Sequence, residues 1–318
     1  MAETTIVGDV NCTSKFGNVG EPSCGVKIDH LVGFILTYGN FEIPNASLTD
    51  FDTTLAYLQA STLANGNGRT FYIPKIFGNE DSTPAADIKK SGYGFNIKQD
   101  EKSHEFTIEF ENKGIKFHKN LRKFRERKDM RVFWIDTQFI GGLRTSTGLR
   151  GFECTFMANQ VKVGVLGGDP TKYTGNLQLE DPSALEDKLS TILFPEDFDL
   201  SEEMGGILDV ELFGTGGAGT ATIGARTEIS RTDLYADYST LLADTDAWKA
   251  IVKSTGATAT ITTVTKDDAN KKWILGLAAG TYLISMASPS ELAALTIGSL
   301  TAGGFESETI EVVVTAAP

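Results

Sequence analysis

The chain has 318 residues, 41% of them hydrophobic, and its 42 acidic and 29 basic residues give a formal net charge of −13. This length suits two domains, and the composition is typical of a folded protein rather than a disordered one. Apolar stretches such as Val32–Leu36 are far shorter than the ~20 residues of a membrane helix, and the acidity disfavours a main role in binding nucleic acid.

Residues 1–30 are rich in Gly, Asn and Thr and have no periodicity. This pattern predicts an N-terminal arm, which we expect to lie across a neighbouring subunit. A basic stretch followed by an apolar core is missing from the first residues, so we expect no secretory signal. We therefore expect folding in a cytoplasm, with Cys12, Cys24 and Cys154 as reduced thiols and no membrane partner.

Residues 31–213 carry the patterns of strands and of three helices, and we predict one assembly domain there. The predicted strands are 33–38, 70–77, 93–98, 104–111, 131–137, 139–143, 151–157, 161–165, 176–179 and 207–213. The predicted helices are 47–64, 117–128 and 181–193, the last of which begins with an Asp-Pro pair typical of a helix N-terminus.

Residues 214–225 open with the run Gly-Thr-Gly-Gly-Ala-Gly, the clearest change of composition in the chain. A dinucleotide site would need a helix after this run, but the residues that follow are β-branched and alternating. The pattern therefore predicts a Gly-rich linker between two domains.

Residues 226–318 predict a small β-domain of immunoglobulin size. Strands are expected over 258–265, 273–277, 281–286 and 309–315. Capping boxes at Ser230–Asp233 and Ser288–Glu291 predict one helix each. The fold class expected for the whole chain is therefore β-rich α+β: a β-sandwich or tube-like domain with crossing helices, followed by a smaller immunoglobulin-like β-domain.

Patterns of catalytic or metal-binding residues are scarce. His30, His104 and His118 are the only histidines, and none has the spacing of a metal motif. The Gly-x-Ser-x-Gly motif is absent, and Cys154 lies in an apolar strand segment that indicates core packing. We predict no enzymatic activity, no cofactor and no metal site.

A basic segment over 113–131 stands out, because it holds nine Lys or Arg and two acids. The remaining residues before Gly214, the N-terminal arm included, carry a net charge of −16. Such segregation favours contact between the basic helix and the acidic surface of another copy, and the alternatives are phosphate binding or a merely solvated helix face. The predicted interface residues are Lys116, Lys119, Arg122, Lys123, Arg125 and Arg127.

The order of parts resembles that of tailed-bacteriophage structural proteins: an N-terminal arm, a β-domain crossed by the 117–128 helix, a Gly-rich joint and an Ala/Thr/Gly-rich C-terminal domain. Residues 9–20, Asp-Val-Asn-Cys-Thr-Ser-Lys-Phe-Gly-Asn-Val-Gly, are also similar to phage and prophage structural proteins. The architecture is most like a tail tube protein with an added immunoglobulin-like domain.

That resemblance implies hexameric rings that stack into a tube, with genomic DNA passing through the lumen and other tail or head proteins as partners. It implies a location in the virion after assembly in the host cytoplasm. Three alternatives stay open: a capsid decoration or minor head protein, a carbohydrate- or receptor-binding module, and a nucleic-acid packaging factor. Exposed Trp134 and Trp273 side chains would favour the carbohydrate module, because sugar sites need aromatic platforms.

Overall fold

The computed structural model describes residues 7–9, 28, 30–64, 66–73, 76–85, 87–90, 96–100, 102–110, 114–166, 168, 170–185, 188–195, 198–204, 206–297, 300–301 and 304–316. The chain divides into two compact units. The first unit comprises Met1–Thr62 and Gly66–Met204, and the second comprises Gly205–Pro318 together with Leu63–Asn65. Both units are rich in β-structure.

The first unit contains fourteen described strands and three short helices. The strands are β1 Val7–Asp9, β2 Gly33–Tyr38, β3 Glu42–Pro44, β4 Phe71–Ile73, β5 Ile76–Asp81, β6 Asp87–Lys90, β7 Asn96–Asp100, β8 Glu105–Phe110, β9 Met130–Ile135, β10 Phe139–Arg144, β11 Gly148–Arg150, β12 Phe152–Ala158, β13 Tyr173–Leu179 and β14 Leu189–Leu193. The helices are α1 Phe51–Thr62, α2 Ile115–Leu121 and α3 Leu200–Glu203.

Twelve of these strands form one connected sheet, and β6 and β7 form a separate hairpin. The main path runs β1-β14-β10-β9-β12-β13-β8-β5, and β2 lies on the other edge of β9. The pairs β12–β13, β13–β8 and β8–β5 are all antiparallel.

Two apolar clusters hold this unit together. The first cluster consists of Phe106, Ile108 and Phe110 of β8, the inward residues of β12 and β13, and the residues on one face of β2 and β9. The opposite face of β2 and β9 contributes Ile35 and Phe133 to the second cluster, which Phe51 and Leu58 of α1 cover. The central strands β2 and β9 are therefore buried on both sides, which explains their nearly continuous apolar sequence.

Several predicted elements of this unit are confirmed. Strand β2 has the predicted bounds, β8 has the predicted alternation with its three apolar residues buried, and α1 lies within the predicted helix. The Asp50 carboxylate accepts a hydrogen bond from the Thr53 N–H at 2.7 Å, which satisfies a free donor of the first turn.

Three predictions for this unit are wrong. The predicted helix over 181–193 is instead a turn followed by β14, because β14 pairs with β10 and β1. The predicted strand over 161–165 is a loop joined to the sheet by a single bridge between Lys162 and Lys172. Within the predicted arm, Val7–Asp9 forms β1; its other residues, apart from Ile28 and His30, lie outside the described residues.

The second unit has eleven described strands and two short helices around one apolar cluster. The strands are β15 Leu208–Gly216, β16 Thr220–Thr227, β17 Trp248–Val252, β18 Thr258–Ala259, β19 Val264–Asp267, β20 Lys272–Gly276, β21 Gly280–Met286, β22 Thr296–Ile297, β23 Leu300–Thr301, β24 Phe305–Ser307 and β25 Ile310–Val314. The helices are α4 Tyr235–Tyr238 and α5 Pro289–Ala294.

Two sheets share the cluster of this unit, with orders β19-β20-β16-β15-β24 and β18-β17-β21-β25. The helix predicted from Ser288–Glu291 is confirmed as α5, in which both hydrogen bonds of the capping box are present. The longer helix predicted after Ser230–Asp233 is reduced to α4, because Trp248 instead begins β17 and packs inward.

The linker predicted over 214–225 is wrong. These residues form most of the antiparallel β15–β16 hairpin, and the chain divides at Met204 and Gly205 instead. The glycines serve close packing: a Cβ on Gly216 would lie 1.8 Å from the Val313 carbonyl oxygen. A composition that is typical of a linker therefore belongs to a paired hairpin of the second unit.

Candidate interaction surface

The basic segment folds as α2 followed by a 3-10 helix over Arg122–Glu126. Its apolar side chains recur at the spacing of one helix face, so that Leu121 and Phe124 are buried and Phe117 is partly buried in the first cluster. The predicted amphipathic helix is thus confirmed, but its bounds differ from the predicted 117–128. It begins at Ile115 and is a regular α-helix only to Leu121.

Phe124 anchors the end of this segment. Its ring centroid lies 5.0 Å from that of Phe71, 6.3 Å from that of Tyr38 and 6.4 Å from that of Phe156. These are separations at which aromatic rings attract one another. The basic segment is therefore fixed on the body of the unit by an aromatic cluster.

The outward side carries four exposed cations, Lys119, Arg122, Lys123 and Arg125, which we call the cationic face. Within the part of the chain that the structure describes, none of the four takes part in an ion pair. Elsewhere in this unit cations do find partners: Arg150 lies 2.9 Å from Glu42, and Arg131 pairs with Glu153. The cationic face is therefore available to an external anion.

Two of the six predicted interface residues differ from these four. Arg127 is exposed, but its guanidinium lies 4.5 Å from the centroid of the Tyr38 ring, so part of its role is structural. Lys116 lies in α2, and its side chain is outside the described part of the structure.

His118 lies on the buried side of α2, where it is 3% exposed. Its ring centroid is 5.2 Å from that of Tyr173, and among the described residues neither imidazole nitrogen has a hydrogen-bond partner. Burial lowers the pKa of His118, and the positive charge of Arg122 adds to this shift. The Asn159 backbone carbonyl, which is near the ring but outside hydrogen-bond geometry, opposes it. The imidazole is thus held neutral beneath a cationic surface.

Among the described residues, no group of three or more His, Cys, Asp and Glu side chains is placed to hold a metal ion. Cys154 is 2% exposed, and burial raises the pKa of its thiol far above the usual range, so it is a poor nucleophile.

A cavity of about 480 Å³ lies at one end of β5 and β8. Its apolar walls include Phe106 and Trp134, whose ring centroids are 5.0 Å apart, and its polar side chains are those of His30, Asn79, Asp81 and His104. Sequence reasoning missed this cavity, because its walls come from segments that are far apart in the chain and share no motif.

The three tryptophans are buried: Trp134 is 3% exposed, Trp248 4% and Trp273 0%. None of them offers a flat exposed platform of the kind that carbohydrate sites use. The condition set for the carbohydrate-binding alternative is therefore not met.

None of the helices in the described ranges has both the length and the apolar character required to cross a membrane. No protein-family description matches the sequence, and a search of curated proteins finds no match to it.

Proposed function

We propose that this chain is the tail tube subunit of a tailed bacteriophage. In this proposal it is a structural protein that assembles with copies of itself through the cationic face. The observation that carries the proposal is the placement of four exposed cations, without an ion-pair partner among the described residues, on a chain whose net charge is −13. A second copy of so acidic a chain presents the anionic surface that these cations would meet.

Rigidity of the cationic face favours a specific contact over a diffuse one. The buried Leu121 and Phe124 hold the backbone in place, so binding does not have to order it again. A contact between the cationic face of one copy and an acidic surface of the next is heterologous, and such contacts close into rings when the rotation allows it.

The tube-like part of the proposal is supported by the layout of the first unit. Strands β8, β12 and β13 contribute to the same apolar cluster as the inner face of β2 and β9, an arrangement of the kind that a β-sandwich uses. Outward residues of β12 such as Glu153 and Thr155 are exposed and polar, as a surface lining an aqueous channel requires. In such a channel carboxylates would repel the DNA backbone and let it slide.

The test compares Arg122→Glu/Lys123→Glu with a control, Arg144→Glu/Lys266→Glu. Both double variants reverse two exposed cations and change the net charge by the same amount. Sedimentation velocity over a concentration series, at low and high salt, measures association. We expect wild type and the control to form oligomers that dissociate as salt is raised, and the Arg122/Lys123 variant to stay monomeric at least tenfold higher in concentration.

Equal association of the two double variants would contradict the proposal. Binding of a DNA duplex by wild type, with a steep salt dependence and loss in the Arg122/Lys123 variant alone, would instead support the nucleic-acid packaging alternative. A capsid decoration or minor head protein would assemble on phage heads and not into free rings or tubes.

A further inference from the structure

The loop between β12 and β13 exposes three aliphatic side chains in succession around one glycine. Val163 is 79% exposed, Val165 75% and Leu166 105%, and we call Val163–Leu166 the tip. Backbone bonds between Lys162 and Lys172 close the base of this loop, and the Gly168 N–H donates to the Val165 carbonyl at 2.9 Å. The tip is thus a shaped projection with no apolar cover among the described residues.

The cavity beside Trp134 has an apolar wall. Leu31, Phe106 and Trp134 line it and are buried, and Ile28, which also lines it, is 46% exposed. An aliphatic side chain inserted there would take apolar area out of water.

Charges at the tip and at the cavity are opposite in sign. Lys162 at the base of the tip is exposed, whereas Glu80, Asp81 and Glu180 are exposed at the end of the sheet where the cavity lies. Over the described ranges, no ion pair involves any of these four residues. Hydrogen bonds from Thr83 lower the pKa of Asp81, which keeps this carboxylate charged.

The register of the sheet separates the tip from the cavity. The tip follows Ala158 and precedes Tyr173, and Tyr173 pairs with Phe110 at one end of β8. The cavity lies at the other end, where the Leu179 N–H donates to the His104 carbonyl. Seven residues of β13 at about 3.3 Å each place these ends roughly 20 Å apart. The tip of one chain therefore cannot fill its own cavity.

We propose that the tip of one copy inserts into the Trp134 cavity of the next copy, with its aliphatic side chains against the apolar wall and Lys162 meeting Glu80 and Asp81. Since tip and cavity lie at opposite ends of the same strands, this contact repeats head to tail and builds an open stack. The inference rests on the proposed function in that both require self-association, but it uses a surface distinct from the cationic face.

Cysteine cross-linking tests this contact. The double variant Asn79→Cys/Leu166→Cys is made in a chain that also carries Cys12→Ser and Cys24→Ser, while the buried Cys154 stays. A disulfide requires Cα atoms within about 7 Å, so the two new thiols cannot join within one chain. Under mild oxidation we expect a ladder of covalent oligomers. The control is Thr155→Cys/Leu166→Cys, in which the thiol at position 155 lies on the outer face of β12, away from the cavity. We expect the yield of oligomers to be roughly tenfold above that of this control.

Two further variants test the chemistry of the contact. Lys162→Glu is expected to lower the cross-linking rate of the double variant several-fold, and adding Glu80→Lys is expected to restore it.

A yield no higher than that of the control, or dimers that form equally well from Leu166→Cys alone, would overturn the inference. The proposed function would still stand in that case if wild type associates in a salt-sensitive way and Arg122→Glu/Lys123→Glu does not. A ladder that persists in this charge-reversal variant would have the opposite meaning: the tip contact would stand and the cationic face would not be an interface.

Discussion

Phe124→Ala should release the basic segment from the first unit. The Phe124 side chain is 9% exposed, and its ring contacts those of Tyr38, Phe71 and Phe156. Truncating a buried phenylalanine to alanine removes its burial and its aromatic contacts and leaves a cavity, at a total cost of about 3–5 kcal/mol. We expect a loss of this size, which is a large share of a typical domain's stability.

Limited trypsin digestion is the assay, because the cationic face is rich in cleavage sites. We expect cleavage within 119–128 to accelerate at least tenfold in Phe124→Ala. We also expect the part of the tryptophan fluorescence change that reports unfolding of the first unit, which contains Trp134, to shift to lower urea concentration. Lys123→Ala is the neighbouring control; it changes an exposed side chain and should alter stability by less than about 0.5 kcal/mol. Equal behaviour of the two variants would refute the view that aromatic packing holds this surface in place.

Two further predictions concern His118 and the Gly-rich hairpin. Folding lowers the pKa of His118, so the unfolded chain binds more protons than the folded chain near pH 6. The free energy of unfolding of the first unit should therefore fall as pH falls from 7.5 to 5.5, by up to about 1.4 kcal/mol per pH unit. His118→Phe should flatten this slope in urea titrations at several pH values, and an unchanged slope would be inconsistent with a buried neutral imidazole. Gly216→Ala should destabilise the second unit by at least 1–3 kcal/mol, since its Cβ would collide with the Val313 carbonyl, whereas Gly217→Ala, whose nearest contact is a hydroxyl at 3.3 Å, should cost less. Equal thermal unfolding of the two glycine variants would argue for a linker after all.

Local patterns predicted the elements whose packing is itself local or simply alternating. Strand β8 alternates because Phe106, Ile108 and Phe110 face one cluster while the intervening residues do not. Helix α1 could be predicted because its apolar residues fall on one face and Asp50 caps it. In both cases the period in the sequence reflects a single buried face.

The failures share a physical cause, which is pairing between distant segments. Leu189 and Ile192 fit a helical spacing, but in β14 they face different clusters, and the strands that select this conformation lie about fifty and one hundred and eighty residues earlier in the chain. The β-branched residues of 161–165 predicted a strand, but beyond the Lys162 bridge they have no partner strand among the described residues. The Trp134 cavity also gave no signal, because only the folded sheet brings its walls together.

The amphipathic character of the basic segment could be predicted for the same reason as α1. The spacing of Leu121 and Phe124 identified the buried side, and the charges between them identified the exposed side, although Ile115 of the same apolar pattern is 67% exposed. The role of the cationic face as an interface stays a prediction. What the sequence could not indicate was the absence of local ion-pair partners, which depends on the neighbouring strands. That absence among the described residues is what turns a basic helix into a candidate interface.

The central claim is that copies of this chain assemble with one another into rings. Negative-stain electron microscopy of the purified protein, at a series of rising concentrations in low salt, tests it most directly. We expect rings with a central hole, or tubes of stacked rings. These should be lost in Arg122→Glu/Lys123→Glu and kept in Arg144→Glu/Lys266→Glu. Single particles of monomer size at every concentration would contradict it.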